Sequence, residues 1–216
     1  MKNKSPFSLL LLFGLALFAP GCEEEDNGLT VTDADGNKYS SVTIDTQVWM
    51  GENLKTTKYN DGTPITYVGG DNIAWLNKTT EAFTWYDANV ANKDVYGGLY
   101  NGYAVSTDKL CPVGWHVPTR DEWLVLINYL GGVDLAGGKL KEEGLSHWAS
   151  PNEGATDEVG FRALPGGSRG HSGEFDMILT YGDWWTSSDN VGNDDWASHM
   201  FVTNYNAKIA YYSYEK

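Results

Sequence analysis

Four histidines (His116, His147, His171 and His199) and two cysteines (Cys22 and Cys111) are the residues of this 216-residue chain with the most chemical reach. A zinc or iron centre needs His, Cys or carboxylate ligands at close, regular spacings, and no two of these histidines stand at such a spacing. Cys111 precedes Pro112 without any local nucleophile signature. Ser187 and Ser188 have no histidine and aspartate arrangement that reads as a triad. His116 sits in an aromatic loop, where a hydrogen-bonded structural imidazole outweighs a catalytic base. No catalytic set emerges from residue types and spacing.

Binding chemistry is better represented. Asp183, Asp189, Asn190, Asn193, Asp194 and Asp195 make an oxygen-rich run beside Trp184, Trp185 and Trp196. Calcium takes six to eight oxygens on a flexible loop, and a sugar takes an aromatic platform with polar groups that fix its orientation. The expected site is therefore Trp185 with Asp189, Asn190, Asn193, Asp194 and Asp195, contacting a glycan directly or with calcium as cofactor. The competing reading is a solvated acidic loop whose tryptophans turn into the core, the ordinary fate of both residue types. Asp33-Ala34-Asp35-Gly36-Asn37 looks like the start of a calcium loop. Its twelfth position is Ile44 where a bidentate glutamate belongs, and Asp-Gly is a turn signal, so a turn is expected.

These residues need a scaffold, and Cys111 to Trp123 is its densest stretch, with two tryptophans, two prolines, a cysteine and a histidine. Thr119 and Glu122 form a capping box. Trp123, Leu126, Ile127 and Leu130 then recur at helical spacing until Gly131-Gly132 ends the helix. Elsewhere the pattern is turn-rich: 25 glycines and 13% aromatics favour short strands with large anchors over a helical bundle. Leu29 to Ile44 reads as a hairpin, Gln47 to Met50 as a buried strand, and Lys139 to Lys141 as a short helical turn or strand. Met200 to Tyr214 reads as two closing strands around Asn204-Tyr205-Asn206, with Phe201, Tyr205, Ile209 and Tyr211 alternating. If Trp184 and Trp185 lie in a strand, they face opposite sides.

The N-terminus carries Lys2 and Lys4, then an apolar run from Phe7 to Phe18 too short to span a bilayer. Ala19-Pro20-Gly21-Cys22 resembles a lipobox. Residues 1–22 are expected to be a lipoprotein signal peptide with Cys22 as the acylated, palmitate-bearing anchor. Residues 23–29 are an acidic linker, and 30–216 a single domain. The run Glu23-Glu24-Glu25-Asp26 resembles the surface-export signal of Bacteroidetes-type lipoproteins, so the expected location is the outer membrane, exposed at the cell surface. With Cys22 acylated, Cys111 is the domain's only cysteine and forms no internal disulfide. A formal net charge of −14 repels phosphate backbones and argues against nucleic acid as a partner.

Several segments together resemble a known family. They are Asp35-Gly36-Asn37 with Tyr39, Gln47 to Leu54, Tyr96 to Asn101, Cys111 to Thr119, Lys139-Leu140-Lys141, Gly160-Phe161, Leu164 to Gly167 and Trp184 to Ser188. In this order they are similar to the Fibrobacter major paralogous (FISUMP) domain, from about Thr32 to Tyr214. That resemblance implies an extracellular, often lipoprotein-borne domain whose biochemical role is poorly defined. Pro118-Thr119 with Glu122-Trp123, and Gly160-Phe161-Arg162, also look like the formylglycine-generating, sulfatase-modifying group. By that analogy the fold class is α+β and C-type-lectin-like, with two helices packed on short, mostly antiparallel strands with long loops. Family members often carry a cysteine where this chain has Thr84. The resemblance implies that it pairs with the cysteine matching Cys111, so here Cys111 is expected to be a buried thiol.

The function expected is a surface-exposed lipoprotein binding module for a glycan or a surface protein, without catalysis. The alternatives are an enzyme remotely related to the sulfatase-modifying group, and a structural envelope or adhesin component. The cysteine pairs and histidine-rich iron sites of the enzymes with that fold are absent from this sequence, which argues against carrying their activities over.

Overall fold

The computed structural model describes residues 29–188 and 196–215. The leader with Cys22, most of the acidic linker, and Asp189, Asn190, Asn193, Asp194 and Asp195 lie outside the described residues.

Short strands and shorter helices alternate. In order they are β1 (Val31–Thr32), β2 (Lys38–Tyr39), β3 (Ser41–Ile44), β4 (Gln47–Met50), β5 (Thr66–Tyr67), α1 (Asn72–Leu76), β6 (Ala82–Thr84), α2 (Lys93–Tyr96), β7 (Leu99–Tyr100) and α3 (Gly102–Val105). Then follow α4 (Arg120–Tyr129), α5 (Ala136–Leu140), β8 (Ser168–Arg169), β9 (Phe175–Asp176), β10 (Tyr181–Thr186), β11 (Trp196–Thr203) and β12 (Ile209–Glu215). The strands form antiparallel pairs β1–β2, β3–β4 and β8–β9, an antiparallel sheet β10–β11–β12, and a sheet β5–β6–β7 whose β5–β6 pair is parallel. This is a mixed α and β domain of short, mostly antiparallel strand pairs. Of its α-helices among the described residues, only α4, with ten residues, exceeds five. No helix among the described residues is long and apolar enough to cross a membrane.

The Asp33–Asn37 segment is a turn. Asp33 Oδ1 accepts from the amides of Asp35 and Asn37 at 2.9 Å, and Oδ2 accepts from Tyr39 Oη at 2.6 Å. Asp35 instead faces Thr56, Thr57 and Lys58. The two carboxylates thus serve separate internal networks, and Gly36 supplies the positive φ of 83°. The expected hairpin from Leu29 to Ile44 divides at Ser40. Glu52 takes the amide and hydroxyl of Ser40 at 2.7 and 2.9 Å, so β2 pairs back to β1 while β3 pairs forward to β4. β4 is a strand as expected, but covered on one face only: Trp49 is buried and Val48 is exposed.

α4 forms as the capping box predicts. Thr119 Oγ1 accepts from the Glu122 amide, and Glu122 Oε2 accepts from the Thr119 amide at 2.7 Å. Burial raises the Glu122 carboxyl, but the Thr119 amide, His116 and the Thr119 hydroxyl together outweigh it and hold it below the ordinary value. The helix buries Trp123, Leu126, Ile127 and Leu130 in the larger of two cores, with Trp49, Trp148, Phe161, Met200 and Val202. Burying side chains of this size stabilises by roughly 1.5–3 kcal/mol each. The smaller core gathers Tyr59, Ile65, Phe83, Trp85, Tyr100 and Leu110.

The Cys111–Trp123 stretch also docks on the end of β10. Ser187 donates its amide to Pro118 O at 2.9 Å, and Ser188 Oγ accepts from the Arg120 amide at 2.9 Å. Those two serines join the end of β10 to the loop before α4. Lys139–Lys141 is both things expected of it: α5 ends at Leu140, and Lys141 bridges to Ala163. Gly137 and Gly138 let this helix meet backbone directly, since a Cβ on either would collide with the carbonyl of Lys208 or Gly154. Lys141 is fully buried, and its ammonium donates to Glu153 O, Thr203 O and Asn206 O, each at 2.9 Å.

Candidate functional site

Strand alternation builds the site. Along β10, Gly182, Trp184 and Thr186 point one way and Tyr181, Asp183 and Trp185 the other. Trp184 joins the larger core, and its indole donates to Asn53 Oδ1 at 2.9 Å. Trp185 packs against the smaller core and donates to Tyr100 O at 2.8 Å. The two tryptophans do take opposite faces, but both are half-buried and each is pinned by its own acceptor. The register sets Trp185 opposite His199, Asp183 opposite Phe201, and His199 opposite Tyr212. One face of the sheet therefore carries Tyr181, Asp183, Trp185, His199, Phe201 and Tyr212.

The rings on this face touch in sequence. Tyr181 stacks on Phe201 at 5.1 Å, Phe201 on His199 at 5.9 Å, and His199 meets Trp185 and Tyr212 edge-on at 6.1 Å. In their midst His199 Nδ1 hydrogen-bonds Asp183 Oδ1. The imidazole is 4% exposed and the carboxylate 18%, so the pair is largely shielded from water. The expected alternation of Phe201, Tyr205, Ile209 and Tyr211 divides here. Ile209 and Tyr211 pack on the core, Phe201 faces away from it, and Tyr205 is exposed in the turn.

A cavity of about 610 Å³ lies over this face, lined by Asp183, Trp185, His199 and Tyr212 on the sheet side. The β8–β9 hairpin and Trp75 of α1 line it as well. Arg169 locks that wall. Its guanidinium lies 4.4 Å from the Trp75 ring and 4.5 Å from the Phe175 ring. It donates to Gly173 O at 2.9 Å, Gly69 O at 2.5 Å and Asp71 O at 3.1 Å. A planar fork that satisfies three carbonyls between two rings is a use to which only arginine is suited.

A larger cavity, of about 890 Å³, shares Asp183 and Trp185 with the first. It is lined by His116, bonded to Glu122 at 2.9 Å, and by His147, bonded to Glu142 at 2.8 Å. All four histidines of the chain thus line one cavity or the other, and His116, His147 and His199 each hold a carboxylate. Cys111 is a free, half-buried thiol in the larger cavity's lining, and burial pushes its pKa up to about 12. A thiol so protonated is a poor nucleophile. Thr84, in the position where the resemblance implies a cysteine, is fully buried and donates to Gly69 O and Trp85 O. Among the described residues there is no group of three or more His, Cys, Asp or Glu able to hold a metal ion.

Of the expected site residues, Trp185 stands in both cavities, while Asp189, Asn190, Asn193, Asp194 and Asp195 lie outside the described residues. Spacing along the chain missed His199, Tyr212 and Arg169. The signal that finds the first two is period-two alternation across β10, β11 and β12 taken together, which sets His199 and Tyr212 beside Trp185. Arg169 has no such signal, because its partners come from loops distant in sequence. The arrangement can hold a ring against aromatic side chains and orient its polar groups with a fixed carboxylate and imidazole.

No curated protein and no solved structure matches the chain. Residues 42–215, from β3 through β12, match the Fibrobacter succinogenes major domain. That span covers most of the chain, and the chain belongs to the Fibrobacter succinogenes major domain family.

Proposed function

We propose that this chain is a surface-exposed lipoprotein, held in the outer membrane through acylated Cys22, whose domain is a binding module for glycans. The observation that carries the reading is the convergence of Trp185, Tyr212 and the Asp183–His199 pair on one cleft. A sugar presents an apolar ring face and a girdle of hydroxyls. The aromatic side chains match the first and the carboxylate with its imidazole the second. Asp189, Asn190, Asn193, Asp194 and Asp195 follow Ser188 in the sequence and enter the proposal as further contacts, with or without calcium. We read the mixed architecture as a variant of the C-type-lectin-like fold, a reading supported by the Pro118 to Trp123 and Gly160 to Arg162 similarities. A surface protein is the other ligand class this cleft suits.

Glycan-array screening followed by calorimetry, each with and without calcium, tests the proposal. Binding that is lost in Trp185→Ala supports it. Silence across the array, in both conditions, counts against glycan recognition.

A further inference from the structure

We propose that the larger cavity is a docking groove for a basic, apolar-rich peptide segment of a partner protein. This is a second site, and it does not rest on the glycan reading. The cavity walls include three apolar side chains open to solvent: Leu29 at 68%, Val48 at 45% and Val95 at 38% exposure. Exposed aliphatic groups are ordinary singly, but three along one concavity make a surface that association would cover.

Charge selects the occupant. Glu52, Asp94, Glu122, Glu142 and Asp183 line this cavity, against Arg162 as its only lysine or arginine among the described residues. In the smaller cavity the same comparison is Glu174, Asp176 and Asp183 against Lys78 and Arg169. The acidic excess is therefore concentrated in the larger one. Lys55, 3.0 Å from Asp94, offsets that carboxylate, which leaves Glu52, Glu122, Glu142 and Asp183 against Arg162. His116 and His147 already answer to Glu122 and Glu142. A cleft with low-dielectric walls and one sign of charge focuses its field on the opposite sign. Phosphate groups and anionic lipid surfaces are repelled. Each of these carboxylates already has an internal partner, so what they present to a ligand is a net negative field. A peptide with lysine or arginine flanking aliphatic or aromatic side chains suits that field and the apolar walls together, and such complementarity also sets the rate and specificity of encounter.

The test uses the full mature chain and two fluorescent hexapeptides, Lys-Leu-Trp-Lys-Leu-Arg and Glu-Leu-Trp-Glu-Leu-Glu, read by anisotropy. The basic peptide is expected to bind at least about tenfold more tightly than the acidic one, and to weaken as salt rises. The double variant Glu52→Gln, Asp94→Asn is expected to weaken it severalfold. Asp94 is exposed, and Glu52→Gln keeps an acceptor for Ser40, so the fold survives the change. Val48→Ser, at an exposed position, is expected to weaken both peptides by loss of apolar wall. Equal affinity for the two peptides, no change in the double variant, or no basic-peptide binding at millimolar concentration overturns the proposal. Tyr212 lines the smaller cavity and not the larger, so the Tyr212→Ala glycan titration reads the other cleft separately.

Discussion

Asp183 and His199 meet across neighbouring strands, one pleat off the direct register that sets His199 opposite Trp185 and Asp183 opposite Phe201. That diagonal contact ties the middle of β10 to β11 beneath the aromatic face. It fixes the imidazole through Nδ1 and leaves the rings of Trp185, Phe201 and Tyr212 packed around it. The smaller cavity owes its polar floor to this pair, so loss of the pair removes that floor and one tie between the two strands.

Asp183→Ala removes the acceptor of a nearly buried imidazole. It is expected to lower unfolding free energy by about 1–3 kcal/mol, the cost of stranding a buried donor. Urea denaturation followed by tryptophan fluorescence checks this. Asp183→Asn, which keeps an acceptor, is expected to recover most of the loss.

Arg169→Lys keeps the charge and loses the fork. Three carbonyls from two loops and two aromatic faces then share one ammonium. A loss of about 1–2 kcal/mol is expected, since stacking over a ring contributes up to ~2 kcal/mol when desolvated. Hydrogen exchange is expected to rise selectively in 168–176 and 69–72. Uniform exchange across the domain contradicts the clamp.

Lys141→Met tests the buried ammonium. The three carbonyls it serves come from the 149–156 loop, the end of β11 and the following turn. Stranding them is expected to cost roughly 3–5 kcal/mol, as for breaking other buried charged contacts. A change within about 1 kcal/mol by chemical denaturation, the net scale of a single neutral hydrogen bond, would mean that water replaces the ammonium easily.

Much of this scaffold was legible in the sequence because its signals are local. The Thr119–Glu122 box, the Trp123 to Leu130 spacing and the Asp33–Asn37 turn each depend on residues within one or two turns of chain. The division of the first hairpin at Ser40 was not legible, because Glu52, which causes it, lies twelve positions away. The site shows the same limit. Trp185 was legible as a candidate residue, and opposite faces for the two tryptophans followed from strand geometry. His199 and Tyr212 became its neighbours only through the register of three strands, and Arg169 through loops about 100 positions apart.

The Glu122 carboxyl supplies a pH dependence with a definite sign. Its folded-state pKa is lowered, so its contribution is complete above about pH 4.3, the unfolded value, and is lost as pH falls through the folded one. Glu122→Ala is expected to cost about 1 kcal/mol at about pH 6, the scale of a capping contribution. The gap between variant and wild type is expected to close below about pH 4. A gap that stays constant from about pH 6 to about pH 3 contradicts this assignment.

The most direct test of the binding-module reading is calorimetric titration of wild type and Tyr212→Ala with the strongest glycan from an array. Tyr212 is 55% exposed, so its truncation is expected to leave the fold intact at the cost of its edge contact with His199, which a melting curve of the variant checks. Saturable binding to wild type and a loss of about tenfold in the variant, the scale of one aromatic contact, are expected. Binding of equal strength in the two proteins would contradict the binding-module reading.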